Sequence, residues 1–327
     1  MIAMKILQTE HIEENELLQL IELQEHFPYD YIRGISKDKF IAYLFSNIKK
    51  ALIKEGIAFA SYDNRRLNGL LILQPLKWDS EIFGFSCARI KYLLSDESET
   101  SYEIKKSLVS FTQTWAKEQG FQFVDISLLP LDLTGIDAIT ENSFHLIATH
   151  IHHVWDFRKK FTLSREVTNS IRIATLADMH YLEQLAEEFI PAHNRFLLDK
   201  KIKETGKVPL FFREWLKNSL LGRARCVLVA EDSNQLIGYT TITVDEESKS
   251  TLGIVIGDVE LTGVLRSHQS KGVYLDMITM AVRWAQKNNI DIMEGVIHIS
   301  NSAANVVPPR LNANMIGAHH NFHWHAD

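Results

Sequence analysis

The run Arg266-Ser-His-Gln-Ser-Lys-Gly272-Val-Tyr274 has the makings of an anion-binding turn. Such a turn needs exposed backbone N–H groups, a helix start behind them and no nearby negative charge. Gly272 lets the backbone approach a ligand, and Arg266, His268 and Lys271 bring positive or neutral donors. The stretch that aligns with it earlier in the chain, Glu97 to Lys105, has no glycine and three glutamates, which repel a pyrophosphate. Only the later stretch is expected to hold a phosphorylated ligand. On the loop alone, a solvated and capped helix start is the competing reading.

Histidine is the second chemical feature. Five of the fourteen lie after residue 290: His298, His319, His320, His323 and His325. On a strand, His319, Asn321, His323 and His325 face one way, and His320, Phe322 and Trp324 the other. A histidine titrating near neutrality serves as acid or base, and His-x-His sets two imidazoles on one strand face, as metal sites do. No cysteine lies nearby, and the only close carboxylate is Asp327. The run His150-Ile-His-His153 occupies the matching place in the first half, which favours polar strand residues present in both copies. No metal is expected, and His323 is kept as a catalytic candidate. Arg195 offers a bidentate fork for a nucleotide phosphate, with ordinary surface arginine as the alternative. Trp78, Phe83 and Phe85 either line a sugar pocket or form an aromatic loop plugging the space between halves.

The elements that must position these residues repeat. Asp63 and Asp232 are 169 residues apart, as are Leu67 and Leu236, and Gly69 and Gly238. The pairs Trp115/Trp284 and Trp155/Trp324 keep the same offset. A constant offset in three separate segments points to duplication of one fold. Each half opens with helical stretches, at 12–25 and 36–54, then at 176–189 and 209–221. A hairpin follows, turning at Asp63-Asn64 or Asp232-Ser233-Asn234. Next come an extended segment (86–94 or 251–265), an amphipathic helix, a strand, a short helix or loop, and a closing strand. The expected domains are 1–160 and 171–327, joined by a polar linker at 161–170 that lacks periodicity.

The 327 residues suit two domains, and 46% hydrophobic with 23% charged residues is ordinary for a globular protein. A net charge of −6 argues against nonspecific nucleic-acid or anionic-membrane binding. Two cysteines, Cys87 and Cys226, make neither a disulfide framework nor a four-thiolate zinc site. With no apolar leader and no run of 18 apolar residues, a cytoplasmic location is expected.

The second half resembles the GNAT superfamily of acyl-CoA-dependent N-acyltransferases. That family's fingerprint is a strand followed by Gln/Arg-x-x-Gly-x-Gly/Ala at a helix start. Gln269-Ser270-Lys271-Gly272-Val273-Tyr274 fits at its first four positions, with Tyr274 in place of the final small residue. Residues 171–189 resemble the family's opening strand and helix, and Asn301-Ser-Ala-Ala304 its Asn-x-x-Ala. A narrower resemblance is to the dTDP-fucosamine acetyltransferase group, which acetylates the amine of a nucleotide-linked sugar. It rests on Trp78-Asp79 with Phe83-Gly84-Phe85, on Asn194-Arg195-Phe196, on Phe212, Trp215 and Asn218, and on Trp324. These matches fall within 76–90 and 171–327. The resemblance implies an α/β (α+β) protein of two GNAT-like domains, each a mixed, mostly antiparallel twisted sheet flanked by helices, the first degenerate.

It also implies acetyl-CoA as co-substrate, with pantetheine along Leu261–Leu265 and pyrophosphate on the N–H groups of 269–274. A backbone N–H near Val264 or Leu265 would stabilise the oxyanion, and Asn301 would lie beside the cofactor. Arg195, Phe196 and Trp215 become substrate-binding candidates. An alkyl amine is mostly protonated at pH 7, so a base is needed. Asp258 and Glu260, on one face of a strand by period-2 alternation, are the candidates, with a salt bridge to Lys249 or Lys271 as the alternative. The chain departs from the family where a Tyr usually protonates the thiolate: Pro308 stands there, followed by Pro309. Proline donates no proton, and the pair should break the helix. Asn312 stands where the family often has Gly, and Asn tolerates left-handed geometry.

The expected activity is acetyl transfer to a primary amine by direct attack in a ternary complex, with a small-molecule acceptor and neither nucleic acid nor membrane as partner. The best acceptor is a nucleotide-linked amino sugar. The alternatives are a protein lysine, polyamine or other small amine, or a non-catalytic protein retaining the fold.

Overall fold

The computed structural model describes residues 5–190 and 192–326. Along the first repeat run β1 (Lys5–Thr9), α1 (Glu14–Glu22), α2 (Lys37–Ile53), β2 (Ile57–Asp63), β3 (Arg66–Pro75), α3 (Lys77–Phe83), β4 (Cys87–Ser95), α4 (Ser101–Glu118), β5 (Phe123–Leu128), α5 (Leu133–Glu141) and β6 (His145–Asp156). The second continues with β7 (Ser170–Ile173), α6 (Met179–Glu188), α7 (Arg195–Leu198), α8 (Lys200–Glu204), α9 (Val208–Asn218), β8 (Cys226–Asp232), β9 (Gln235–Asp245) and α10 (Glu246–Thr251). It closes with β10 (Ile256–Val264), α11 (Val273–Lys287), β11 (Ile292–His298), α12 (Ser302–Asn305), α13 (Val307–Arg310) and β12 (Asn314–His325).

The offset read from the sequence reappears as geometry. Strands β2 and β8, β4 and β10, and β6 and β12 begin and end 169 residues apart. Both hairpins turn through paired left-handed residues, Asn64 and Arg65 in one, Ser233 and Asn234 in the other, as tight two-residue turns require. The repeated glycines seat a helix on a strand. A Cβ on Gly69 would lie 2.4 Å from Ile104 of α4, and one on Gly238 would lie 2.8 Å from the Met277 sulfur of α11.

Two compact units result. The described residues up to Ala148 join those from His319 onward, and Thr149–Ala318 form the other. In the first unit the strand order is β1-β2-β3-β4-β5-β12, antiparallel except for β4 with β5. In the second it is β6-β11-β10-β9-β8-β7, antiparallel except for β10 with β11. The closing strands are therefore exchanged: β6 of the first repeat pairs with β11 of the second, and β12 pairs with β5. Their tryptophans follow them. Trp155 is 1% exposed in the core with Met293, Ile278 and Leu311, while Trp324 packs with Phe144 and Phe322. The sequence reading had placed His150-Ile-His-His153 in the first half's own sheet; the pairing puts it in the second.

Two local readings also change. The extended segment expected over 251–265 begins only at Ile256, because Asp245 caps a helix through the N–H groups of Glu247 and Ser248 and Gly253 turns the chain at φ +77°. The aromatic segment after Leu76 is helical, not a loop. Gly84 ends α3 in the left-handed conformation, and Phe83 stacks on Phe85 at 5.9 Å.

Candidate functional site

The second unit holds the turn expected to bind an anion. Strand β10 ends at Val264, residues 266–268 form a single turn, and Ser270 and Gly272 adopt φ of +61° and +81° before α11 begins. A Cβ on Gly272 would meet nothing within 4 Å, so the backbone there faces open space. The first N–H groups of α11 have no partner inside their own helix, and the helix dipole adds positive potential at that end. Arg266, Ser270 and Lys271 are exposed. Gln269, also exposed, donates back to the Val264 carbonyl at 3.1 Å, which ties the turn to the strand end. His268 is held by Asp232 at 3.2 Å and contacts Ser267. Of the remaining expected cofactor residues, Val273 is buried beneath the turn and Tyr274 is partly buried against the core. Burial raises the Tyr274 phenol far above its ordinary range, which keeps it protonated.

The strand before this turn is split from its parallel neighbour. Strands β10 and β11 pair only from Ile256/Ile292 to Val259/Gly295, although both continue. A register shift on the β9 side falls at the same point, between Val259 and Thr262. The Leu265 N–H donates to the Ile237 carbonyl at 2.8 Å, so of the two expected oxyanion donors it is already engaged. Strand alternation then turns the Val264 N–H toward the side that β11 has left. This is the edge along which an extended ligand can pair.

The face of the sheet opposite α11 is polar. Asp258 and Glu294 are direct register partners on β10 and β11. Asp258 Oδ1 is buried without a protein hydrogen-bond partner. Burial, then Glu294, then Glu260 push the Asp258 carboxyl well above the usual carboxylate range, and Arg223 opposes them. Glu260 does not pair with Lys249 or Lys271. It forms a bidentate bridge to Arg223 at 2.5 and 3.0 Å, and that guanidinium lies 5.4 Å over the Trp215 ring. Glu260 is thus bound and Asp258 is the unengaged candidate base. On β6, His152 Nδ1 lies 3.4 Å from Glu294 Oε1, and His150 stands opposite His298, with rings 5.4 Å apart and edge-on. His298 also stacks on His193 at 5.6 Å, and burial followed by that neighbour lowers its pKa. The Ser300 N–H donates to His298 Nδ1. Sequence reasoning missed Glu294, His152, Arg223 and His193.

Other expected residues fall elsewhere. Phe196 is 4% exposed and packs edge-on against Phe211, so it belongs to a core; Arg195 lies over its ring at 4.7 Å. Asn301 caps α12 by accepting from the Ala304 N–H at 3.2 Å. His323 belongs to the first unit, opposite Asp125 and 4.8 Å from the Phe123 ring, and does not join Asp258. The prolines break the helix as expected: Pro308 and Pro309 sit in the first turn of α13, after a stop at Asn305. Asn312 has φ +64°. Among the described residues, no group of three or more His, Cys, Asp or Glu could hold a metal ion, and no helix is long and apolar enough to cross a membrane.

Solved structures share this architecture. A tandem GNAT protein from the clavulanic acid biosynthesis pathway superposes with a TM-score of 0.58 at 12% identity, over 99% of each chain. A GNAT-family acetyltransferase from Colwellia psychrerythraea gives 0.54 at 12% identity, over 99% of this chain and all of that one. The glucosamine N-acetyltransferase region of a fungal multi-domain β-N-acetylglucosaminidase gives 0.64 at 11%, over 98% of this chain and 38% of that one. No family profile and no curated protein matches the chain. The fold is an α+β mixed sheet with flanking helices, resembling the architecture of tandem GNAT proteins.

Proposed function

We propose that the chain is an acyl-CoA-dependent N-acyltransferase whose second unit binds acetyl-CoA, while its first unit does not. The observation that carries this reading is the continuity of three features in one unit. The open turn at Gly272 leads into the strand edge freed where β10 leaves β11, and that edge borders the Asp258 and Glu294 carboxyls. Gly272 with Arg266 and Lys271 suits the pyrophosphate, and Val264 the thioester oxygen as negative charge develops on it. Asp258 is the base for the amine, and the reaction is direct attack in a ternary complex. The bound co-substrate supplies an activated acyl group; Pro308 leaves no family-type acid for its thiolate.

The acceptor is a primary amine. Resemblance to the dTDP-fucosamine group supports an amino sugar on a nucleotide carrier. The carboxyls at 258 and 294 favour a second reading, a cationic acceptor such as a polyamine or lysine, since they repel phosphate and attract ammonium.

Calorimetric titration with acetyl-CoA tests the cofactor site. The wild type binds, and Gly272→Glu weakens binding by about a hundredfold, because it adds like charge and forces a side chain into left-handed backbone. Absence of wild-type binding, or binding indifferent to the substitution, overturns the assignment. Turnover across dTDP-amino sugar, glucosamine, spermidine and a lysine peptide then separates the acceptor classes; binding without turnover of any favours a non-catalytic protein.

A further inference from the structure

The unit that carries Asp258 is closed by a strand from the other repeat, and that strand brings titratable side chains to the same face. Alternation along β6 separates its residues cleanly. His153 Nε2 donates to Asn305 Oδ1 at 2.9 Å, and Trp155 donates to the Leu311 carbonyl, both on the helix side. His150 and His152 therefore lie on the opposite face, with Asp258 and Glu294. Across that face the register runs Val154–Glu294–Asp258, and His152 reaches diagonally back to Glu294. The result is three proton-holding groups in a row, from three adjacent strands: Asp258, Glu294 and His152.

We propose that these three form a proton relay, in which His152 is the outward positioning residue that takes a proton from Glu294 after Asp258 and Glu294 have received it from the acceptor ammonium. The inference rests on the acyl-transfer reading above for the source of the proton, and on the geometry alone for the coupling. Burial, with Glu294 beside it on the next strand, favours the protonated form of Asp258, and the relay needs one negative charge on the pair. That charge accepts a proton from R–NH3+, giving R–NH2. The pair then passes one proton to the neutral His152 imidazole, which releases it to solvent. The amine nitrogen forms its bond to the acyl carbon, the carbon–sulfur bond breaks, and the second nitrogen proton leaves with the thiolate as thiol.

Several other charged or titratable groups on this face, among the described residues, have partners of their own. Glu260 is engaged by Arg223, Asp156 farther along β6 is held by Arg158, and His150, His298 and His193 form their own ring contacts. Histidine-selective nitrogen spectra of the full chain, recorded from pH 5 to 9, provide a readout that needs no acceptor. The His152 titration curve changes in both Asp258→Asn and Glu294→Gln, while Glu260→Gln leaves it in place. Curves that superimpose on wild type in Asp258→Asn overturn the relay. With an amine from the acceptor panel, His152→Gln lowers kcat about tenfold and alters the acid limb of the kcat/KM profile, as loss of a general acid–base step does. Acetyl-CoA binding stays within twofold. A His152→Gln profile identical to wild type also overturns the proposal. Loss of acetyl-CoA binding in wild type strikes the acyl-transfer reading instead, and the spectra still decide the relay.

Discussion

The two units present the same backbone frame with opposite chemistry at matching positions. Where the second unit has Asp258 beside Glu294, the first has Arg89 beside Asp125, joined bidentately at 2.6 and 2.7 Å with Asp125 fully buried. Where the second unit has Glu260, the first has Lys91. At the helix start, Arg266, Tyr274 and Asn301 of the second unit correspond to Glu97, Lys105 and Asp132 of the first. Lys105 is 3% exposed and bonds Asp132 at 2.9 Å and Glu97 at 3.4 Å, so that turn is filled by its own side chains. Both units also split their parallel pair, since β4 leaves β5 after Ile90/Ile126 just as β10 leaves β11. A split strand pair is thus shared, and what distinguishes the units is whether their charges are already satisfied.

The largest expected effect breaks that comparison at Arg89. Arg89→Leu takes both Arg89 hydrogen bonds and the opposing charge from the buried Asp125 carboxylate and costs about 3–5 kcal/mol in denaturant unfolding. The corresponding change in the second unit has the opposite sign. Asp258 has a raised pKa when folded, so the native state holds its proton where the unfolded chain has lost it. Its contribution to stability therefore falls as pH rises above about 4, the unfolded value. Asp258→Asn raises the unfolding midpoint at neutral pH and leaves it nearly unchanged at pH 3, while acetyl transfer is lost. A fall in stability at pH 7 would contradict the raised pKa of Asp258.

A second buried carboxylate sharpens the contrast. Asp276, in the first turn of α11, is 0% exposed and accepts from Arg165 at 2.6 Å, from both N–H groups of Thr168 and Asn169, and from their side chains. Burial alone would raise its pKa, but these donors bring it down to about 2. The stability it contributes is complete above about pH 4 and is lost as pH falls toward 2. Asp276→Ala costs about 2–3 kcal/mol at pH 7, through donors left unsatisfied, and the difference from wild type shrinks below pH 4. An undiminished difference at pH 2 would contradict the depressed pKa.

Duplication, hairpins and the Gly272 turn were legible because each has a local signal: a constant offset, polar turn residues, or a glycine between cations. Asp258 and Glu260 were legible by alternation. Glu294 had a signal that went unused, since the 169-residue offset sets it against Asp125, an acid at the same place in an apolar strand. The bridge from Arg223 to Glu260 had none, because it depends on a π-helical turn at Ser219–Arg223 with Gly222 at φ +114°. The strand exchange was hidden for a physical reason. The apolar pattern of β6 satisfies an antiparallel neighbour in either repeat, and β5 and β11 offer similar edges. His323 was assigned to the wrong unit, and His152 overlooked, for that reason.

The smallest effects test the one feature that both units keep, the glycine beneath the helix. Gly69→Ala places a methyl group 2.4 Å from Ile104 Cγ2 and 3.0 Å from Leu108 Cδ1, both packed core atoms at most 1% exposed. It should cost about 1–3 kcal/mol by overpacking. In Gly238→Ala the nearest atom is the Met277 sulfur at 2.8 Å, followed by the Gly263 carbonyl oxygen at 3.0 Å. An unbranched thioether yields more readily than a β-branched side chain, so the cost falls to about 1 kcal/mol. Ile104→Leu in the Gly69→Ala background reports the mechanism, because it takes away the Cγ2 branch against which the new methyl is pressed. Partial recovery of the unfolding midpoint is expected there. If the double variant is less stable than either single change predicts by addition, the glycine serves the strand backbone and not the helix contact.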